Sequence, residues 1–382
     1  MKKKAIKIPK TIIIVCIAIA ALVFLQQRLS AHQQTKYSAQ NLSLRPPFNG
    51  HRELTEKITL GAVGDVLIHP PVYQDAFNGA GYNFAPIFEQ VKPLLEKPDI
   101  LTANQESMLG GVELGLSGYP LFNSPQQVAN ALVDAGVDIV STANNHALDK
   151  GEKGIHSESA YLDQLGLPHV GSYSNERDRQ KLRILNKNGI RIAFIAYTYG
   201  TNGIPLPKGK EFLVNIIDKK TMKSEIARAK SNADVVVMSL HWGNEYERIP
   251  TNEQRDVAQF LANEGVDIIF GSHPHVLQPM EWMKTKDGRK TFVIYSLGNF
   301  ISGQQGDYKD IGGIATIDVT KQITKMGSKM ILSNPTFTPT YVTSQQNKSY
   351  RIVPLAKARN YGLTSAKAKY DEIKLHMAKW LQ

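Results

Sequence analysis

The chain has 382 residues, of which 42% are hydrophobic and 21% charged, and its formal net charge is +11. This composition excludes a disordered chain, the length suits one large α/β domain or two modest ones, and the single cysteine excludes an intrachain disulfide. Because no run of Lys and Arg in the body is interleaved with aromatic residues, we predict no nucleic-acid partner, and the positive charge instead suits an anionic polymer or anionic lipid.

The first 27 residues predict a basic cytoplasmic tip followed by a transmembrane anchor. Five lysines precede the uncharged apolar run 11–25 and Arg28 follows it, which places the N-terminus in the cytoplasm and the body outside the cell. A cleaved signal peptide is the alternative, although residues 29–31 match a cleavage site poorly. We therefore expect a single-pass protein of the cell membrane, with the polar, aperiodic residues 28–56 as an extracellular linker.

The body, predicted over 57–345, begins with apolar strands that each lead into polar side chains. In its first half these polar residues are Asp65, Asn104, Glu106, Asn144, Asn145 and His146. Helices are predicted over 84–97, over 124–135 with Ser124 as the N-cap, and over 152–165. The Gly-rich stretch 108–120 has no hydrophobic period and is expected to be a loop bordering the site.

The second half of the body repeats this pattern. Asn188-Gly189 predicts a hairpin turn between two strands, and helices over 221–231 and 253–264 separate the strands that follow. The polar residues at these later strand ends are His241, His273, His275 and Asn299. An edge hairpin is predicted over 330–342. Residues 346–382 are predicted to be a tail with a basic amphipathic helix that docks on the body, the membrane or a partner.

The residue types at these strand ends are those that bind divalent metal ions. A neutral imidazole suits Zn, Mn or Fe, and a carboxylate such as that of Glu106 is able to bridge two ions. His273-Pro-His275 is the most specific signal, because two histidines one residue apart can point to different ions. Open α/β sheets place their sites beyond the carboxyl ends of the strands, so we expect these residues to surround one small volume.

Four further residues have both a functional and an ordinary interpretation. His69 reaches the same site or is a loop histidine. Asp149, about one helical turn from His146, hydrogen-bonds that imidazole or is a carboxylate favoured by a helix N-terminus. Trp242 walls the pocket or packs in the core, and Asn299 lines the site through its amide or occupies a turn.

These motifs, in this order, resemble the CapA/PgsA family of capsule poly-γ-glutamate biosynthesis proteins, which have a calcineurin-like metallophosphoesterase fold. The resemblance covers about residues 57–320 and is carried by Gly64-Asp65, Asn104-x-Glu106, Ala143-Asn-Asn-His-Ala-Leu-Asp149, His241-Trp-Gly-x-Glu-Tyr246, His273-Pro-His-Val-Leu-x-Pro279 and Ser296-Leu-Gly-Asn-Phe300. It implies a four-layer α/β sandwich, in which two mixed β-sheets pack face to face with helices outside. It also implies one or two bound divalent cations, Mn, Zn or Fe.

The resemblance further implies a role for each matched residue. The cation ligands would be Asp65 and His275 for the first ion, Glu106 for both ions, and Asn145, His241 and His273 for the second. His146 would be the general acid, with a metal-activated water as nucleophile, and Asn104 and Asn144 would line the site. The superfamily usually has a histidine where Leu67 stands and an aspartate where Glu106 stands. These departures leave a one-metal site or altered chemistry open.

Two functions follow from this resemblance. In the first, the protein is a surface-anchored, metal-dependent hydrolase or transferase that acts on poly-γ-glutamate or on a phosphorylated precursor. In the second, it is a non-catalytic accessory subunit that binds the nascent polymer and the synthase and export subunits in the membrane. A pure scaffold has no physical need for this set of ligands at strand ends, which favours retained metal binding.

Overall fold

The computed structural model of the protein describes residues 54–381. The predicted cytoplasmic tip, the anchor and residues 28–53 of the predicted linker lie outside the described residues. Within 54–381, no helix is long and apolar enough to cross a membrane.

Fourteen strands of the described residues form two mixed sheets. The larger sheet has the spatial order β14-β13-β12-β1-β2-β3-β4, with β11 also pairing with β1, and the smaller has the order β5-β6-β7-β8-β10-β9. The strands of the larger sheet are β1 (Leu54–Leu67), β2 (Ile100–Gln105), β3 (Ile139–Ser141), β4 (His169–Val170), β11 (Asn299–Ser302), β12 (Ile311–Thr324), β13 (Gly327–Gln345) and β14 (Lys348–Pro354). Those of the smaller are β5 (Arg183–Lys187), β6 (Ile190–Thr198), β7 (Val235–His241), β8 (Ile268–Ser272), β9 (Leu277–Lys284) and β10 (Lys290–Leu297).

The helices of the described residues are mostly short. They are α1 (Pro70–Ala76), α2 (Ala85–Phe88), α3 (Lys92–Leu95), α4 (Gln127–Asp134), α5 (Gly151–Leu165), α6 (Glu176–Arg179), α7 (Lys219–Asn232), α8 (Asn252–Glu264) and α9 (Ala366–Ala378). Three 3-10 helices cover Val112–Leu114, Glu211–Leu213 and Leu355–Tyr361.

The two sheets face each other across one apolar core, because alternate residues of a strand point to opposite faces of its sheet. In β6, Phe194 belongs to a cluster that joins side chains of both sheets, whereas its neighbour Ile195 packs with residues of α7 and α8. In β1, Ala62 faces the same inter-sheet cluster, and Val63 packs with residues of α4 and α5. This arrangement of two mixed sheets between outer helices confirms the predicted α/β sandwich.

Two predicted helices differ from the structure. The helix expected over 84–97 is divided into α2 and α3, and Pro93 lies in the first turn of α3, where its missing N–H prevents continuation of the preceding helix. Helix α4 begins after Gln126 and has no side-chain N-cap. The predicted cap, Ser124, instead donates its hydroxyl hydrogen bond to Ser107 Oγ over 2.8 Å.

The predicted boundary between a body over 57–345 and a tail over 346–382 is wrong. Strand β14 pairs with β13 and completes the larger sheet, so β13 is not an edge strand. Helix α9 buries Ala366, Ile373 and Met377 in the inter-sheet cluster. The helix therefore docks on the body, and residues 54–381 form one compact unit.

Candidate metal centre

The predicted ligands converge at the edge of the sandwich where the parallel strands of both sheets end. Asp65 is in β1, Glu106 directly follows β2, His241 ends β7, and His273 and His275 follow β8. Gly64 permits this convergence, because a Cβ atom there would lie 1.9 Å from the carbonyl oxygen of Gly298. The close approach lets the Asp65 amide donate to that oxygen over 2.9 Å.

Two groups of side chains at this edge have the geometry to hold a metal ion. Asp65, Glu106 and His275 form one group, and Glu106, His241 and His273 form the other, with all ligand atoms of each group within 4.8 Å of one another. Glu106 Oε1 lies 3.7 Å from His275 Nε2 and 3.6 Å from His241 Nε2. Glu106 is thus common to both groups, in the position expected of a bridging carboxylate.

Asn145 completes the second group. Its Oδ1 lies 2.8 Å from His241 Nε2, which is itself 3.1 Å from His273 Nδ1. An amide oxygen, two imidazole nitrogens and the shared carboxylate therefore face one small volume. The first group has three such donors and the second has four.

The buried carboxylate of Glu106 shows that these residues fit cations. Neither of its oxygens has a hydrogen-bond partner within the described part of the chain, and its side chain is inaccessible to solvent. Burial and the neighbouring Asp65 raise the pKa of this carboxyl well above its usual value. An unpaired buried carboxylate is energetically unfavourable, and a divalent cation would remove this penalty. Imidazole and carboxylate donors suit Zn, Mn or Fe, and the donor set alone does not choose among them.

The histidines at the centre have strongly perturbed protonation. Burial, reinforced by His273 and His275, holds the pKa of His241 well below its usual value, and burial lowers that of His273 to about 3. Both rings are consequently neutral, as a metal ligand must be. Burial also disfavours the charged form of His275, but Glu106 and Asp65 outweigh it and raise the pKa of His275 to about 9.

Asn299 and Asn104, both predicted to line the site, orient two of the ligands through hydrogen bonds. Asn299 donates through Nδ2 to the carbonyl oxygen of Lys309 over 2.8 Å, which turns its Oδ1 toward His275 Nδ1, 3.1 Å away. Because Asp65 Oδ2 is also 3.1 Å from that Nδ1, the ring donates from Nδ1 and directs Nε2 toward Glu106. Asn104 donates to Asp65 Oδ1 over 2.8 Å, so both oxygens of the Asp65 carboxylate are held in place.

His146 and Asp149 form the predicted pair, with 2.6 Å between Nδ1 and Oδ2. The same Oδ2 accepts a hydrogen bond of 2.6 Å from the Phe122 amide, and the Phe122 ring packs edge-on against His146 with 4.7 Å between centroids. Asn144 accepts from the His146 amide and donates to the Gln105 carbonyl, so it holds the turn rather than facing a ligand. His146 Nε2 is the ring nitrogen left for chemistry.

Trp242 does not wall the pocket, and His69 lies outside both ligand groups. Trp242 follows His241 on the chain, so it points to the opposite face of its sheet. There it packs in the outer core and donates from Nε1 to the carbonyl oxygen of Tyr295 over 2.9 Å. His69 lines the cavity above the centre, where its Nδ1 accepts a hydrogen bond from the Gly303 amide, and burial lowers its pKa to about 4.

A cavity of about 780 Å³ opens above the metal centre. Its lining residues are Leu67, His69, Tyr119, Pro120, Leu121, Phe122, Asn145, His146, Asn202, Ile204, Glu245, Tyr246, His275 and Gln304. The loop predicted over 108–120 thus borders the site, as expected. The arrangement can accept a small anion between the ligand groups and the His146 side chain.

Sequence reasoning did not identify Asn202, Glu245 or Tyr199 as site residues. Asn202 Oδ1 accepts from Asn145 Nδ2 over 3.2 Å, which directs the Asn145 oxygen toward His241. The Tyr199 ring packs on His273 with 4.7 Å between centroids. Asn202 lies in a turn with φ of 50°, where asparagine is ordinary, and no local pattern distinguishes it from other turn residues.

The chain belongs to the family described as bacterial capsule synthesis protein PGA_cap, whose model matches residues 59–304. These residues contain both ligand groups and His146. The chain is 29% identical over 348 residues to the capsule biosynthesis protein CapA of Bacillus anthracis, covering 85% of this chain and 79% of the relative. It is 31% identical over 228 residues to the PGA biosynthesis protein CapA of Bacillus subtilis (strain 168), covering 57% of each.

Among solved structures, the chain is similar to the calcineurin-like phosphoesterase YfkN from Bacillus subtilis. The TM-score is 0.47 at 16% identity, covering 82% of this chain and 99% of the other. A likeness of this degree supports no conclusion about the fold or activity of this chain.

Proposed function

We propose that this protein is a membrane-anchored, extracellular component of capsular poly-γ-glutamate synthesis, with a metallophosphoesterase-type site that hydrolyses a phosphate ester. The membership of the PGA_cap family and the CapA relatives support the capsule role. One observation carries the catalytic part, which is the buried Glu106, without hydrogen-bond partners in the described chain, between two sets of metal-type donors.

The proposed reaction needs cations and a proton donor. Divalent cations, when bound, polarise a phosphoryl oxygen and lower the pKa of a water molecule to about 7. His146 then supplies the proton for the leaving group. The attacking water gives one proton to solvent, a bond forms between its oxygen and phosphorus, and the ester P–O bond breaks. The leaving alkoxide takes the proton from His146 Nε2, which regains one from solvent.

Asp149 and Phe122 prepare His146 for this role. Asp149 accepts from Nδ1, which fixes the tautomer and the orientation of the ring. The Phe122 amide holds the same carboxylate oxygen, and the Phe122 ring restricts rotation of the imidazole. The proton on Nε2 is therefore directed toward the cavity rather than toward a protein acceptor.

The location outside the cell is part of the proposal and rests on the N-terminal sequence. Lysines precede the apolar run 11–25, which is the charge order of an anchor whose C-terminal side is exported. A chain with one cysteine needs no oxidising compartment to fold, and bound cations would add stability to the exported body.

The test is metal analysis and phosphate-ester hydrolysis on the full-length protein purified in detergent, with and without Mn²⁺. A His146→Ala variant should lose about 10²- to 10⁴-fold in kcat while keeping its metal content. His156→Ala is the matched control, because His156 is a half-exposed histidine on α5 and does not line the cavity. If the wild type binds cations without hydrolysis and His146→Ala sustains capsule production, the protein is the non-catalytic accessory subunit instead.

A further inference from the structure

We infer that the cavity over the metal centre takes a phosphate ester whose alcohol carries a flat ring, and that it excludes the poly-γ-glutamate chain itself. The inference rests on the proposed function, since it names the substrate class of the same site. Two features carry it, the charge of the cavity and the aromatic groups at its mouth.

The lining of the described cavity has no lysine or arginine side chain for a polyanion. Glu245 adds a negative charge at the mouth. Lys309 does not line the cavity. Its Nζ lies 5.4 Å from the centroid of the Tyr246 ring and 3.6 Å from Asp307 Oδ2. Cations in the two ligand groups would offset the carboxylates there and bind one phosphoryl group, but no side chain above them receives further anions.

The basic character of the whole chain does not compensate for this. Nine of the 45 Lys and Arg residues and one of the 34 Asp and Glu residues lie in 1–53, which leaves 36 basic and 33 acidic residues in the rest of the chain. Most of the +11 charge therefore belongs to the N-terminal segment rather than to the domain. A polymer with a carboxylate on every residue gains little attraction from a nearly neutral domain with an acidic cavity mouth.

The mouth of the cavity instead exposes aromatic and apolar side chains. Tyr119 is 83% exposed, Tyr246 49% and Leu121 44%, and all three line the cavity. Tyr199, 45% exposed, lies against His273 with its ring tilted by 48°, and the Tyr246 ring lies 6.1 Å from that of His275. Single exposed apolar residues are ordinary, but a group of them around a concave site indicates a binding surface.

The positions of these tyrosine rings indicate which part of a bound phosphate ester they would contact. Tyr199 and Tyr246 lie beside the metal-ligating histidines, and Tyr119 and Leu121 are exposed residues that line the same cavity. A phosphoryl group at the centre would therefore direct its ester oxygen and the attached alcohol into the part of the cavity that the tyrosines line. Phenol faces favour a flat ring, as in a nucleobase or an aryl group.

The experiment compares two phosphonates that resist hydrolysis, phenylphosphonate and methylphosphonate, by calorimetry on the full-length Mn²⁺-loaded protein in detergent. Phenylphosphonate should bind more tightly than methylphosphonate, by about 2- to 10-fold for each tyrosine ring that its phenyl group contacts. Tyr246→Ala and Tyr119→Ala should each reduce this preference and leave the affinity for inorganic phosphate unchanged. Tyr361→Ala is the matched control, because Tyr361 is 36% exposed and does not line the cavity.

Competition with inorganic phosphate tests the exclusion of the polymer. A short γ-glutamate oligomer should not displace phosphate from the wild type, whereas it should do so from Glu245→Lys. Equal affinity for the two phosphonates, or displacement by the oligomer in the wild type, overturns the inference and leaves the proposed function intact. If Mn²⁺-loaded protein binds no phosphate at all, the proposed function itself fails. Tyr119→Ala could also stop capsule production without changing the preference for phenylphosphonate over methylphosphonate. In that case the exposed side chains at the cavity mouth are a protein docking surface, and the inference is also overturned.

Discussion

Replacing Glu106 by glutamine should separate metal binding from folding. The substitution keeps the shape of the side chain and removes only the charge that both ligand groups share. Because burial and Asp65 outweigh the attraction of His275 and raise the pKa of this carboxyl, its charge is on balance unfavourable to the fold without a cation. We therefore expect the Glu106→Gln variant to be at least as stable as the wild type in EDTA.

The size of the cation effect can be worked out for the wild type. A cation present at 100 times its Kd stabilises the folded state by about 2.7 kcal/mol. The entropy of unfolding is about 2.1 cal/mol/K per residue, so the described domain should unfold with about 0.7 kcal/mol/K. Each occupied site should then raise the Tm by about 4 °C, and two sites by about 8 °C.

Calorimetric melting of both proteins, in EDTA and in increasing Mn²⁺, measures these shifts. The wild-type Tm should rise with Mn²⁺, and that of Glu106→Gln should rise by less than half as much. A lower Tm for the variant in EDTA would show that the carboxylate stabilises the fold by itself. An equal rise in both proteins would show that the cations bind elsewhere, and either result refutes the bridging role.

Three further outcomes are expected. Asn202→Ala should weaken Mn²⁺ affinity by about 10- to 100-fold in a calorimetric titration, whereas Asn202→Asp keeps the acceptor for Asn145 and should lose less. Burial raises the pKa of Glu158 to about 8, so the folded state holds a proton that the unfolded state has lost. Glu158 alone should lower stability by on the order of 3 kcal/mol between pH 5 and 8 in urea melts, and Glu158→Gln should remove this contribution to the slope. Ile373→Ala in α9 should cost about 2–5 kcal/mol in the same melts, while Leu375→Ala, at a position 76% exposed, should change stability by less than about 0.5 kcal/mol.

The convergence of the ligands was predictable because it follows from strand direction. Segments such as 137–140 and 266–270 are β-branched and apolar, and parallel strands bring their carboxyl ends to one edge. The ligand-type residues at these strand ends indicated the metal-type site, and the resemblance to the CapA/PgsA family implied the sandwich. Asp65, Glu106 and the three later histidines needed no further information to be grouped.

The features that the sequence left open or missed depend on tertiary packing. For Trp242, the choice between a pocket wall and the core is made by strand alternation, which turns the side chain to the other face of the sheet. For the helix over 366–381, the choice among the body, the membrane and a partner is made by the apolar residues of α9, which join the inter-sheet cluster. Asn202 reaches Asn145 only through the path of a long loop, which no spacing in the sequence specifies.

The central claim is that Glu106 joins two cation sites, and anomalous diffraction from crystals of the Mn²⁺-loaded protein tests it most directly. We predict two anomalous peaks, one between Asp65 and His275 and one among Asn145, His241 and His273, with Glu106 in contact with both. A Mn²⁺-loaded crystal with no anomalous density at Glu106, or with its peaks on other residues, would contradict the account.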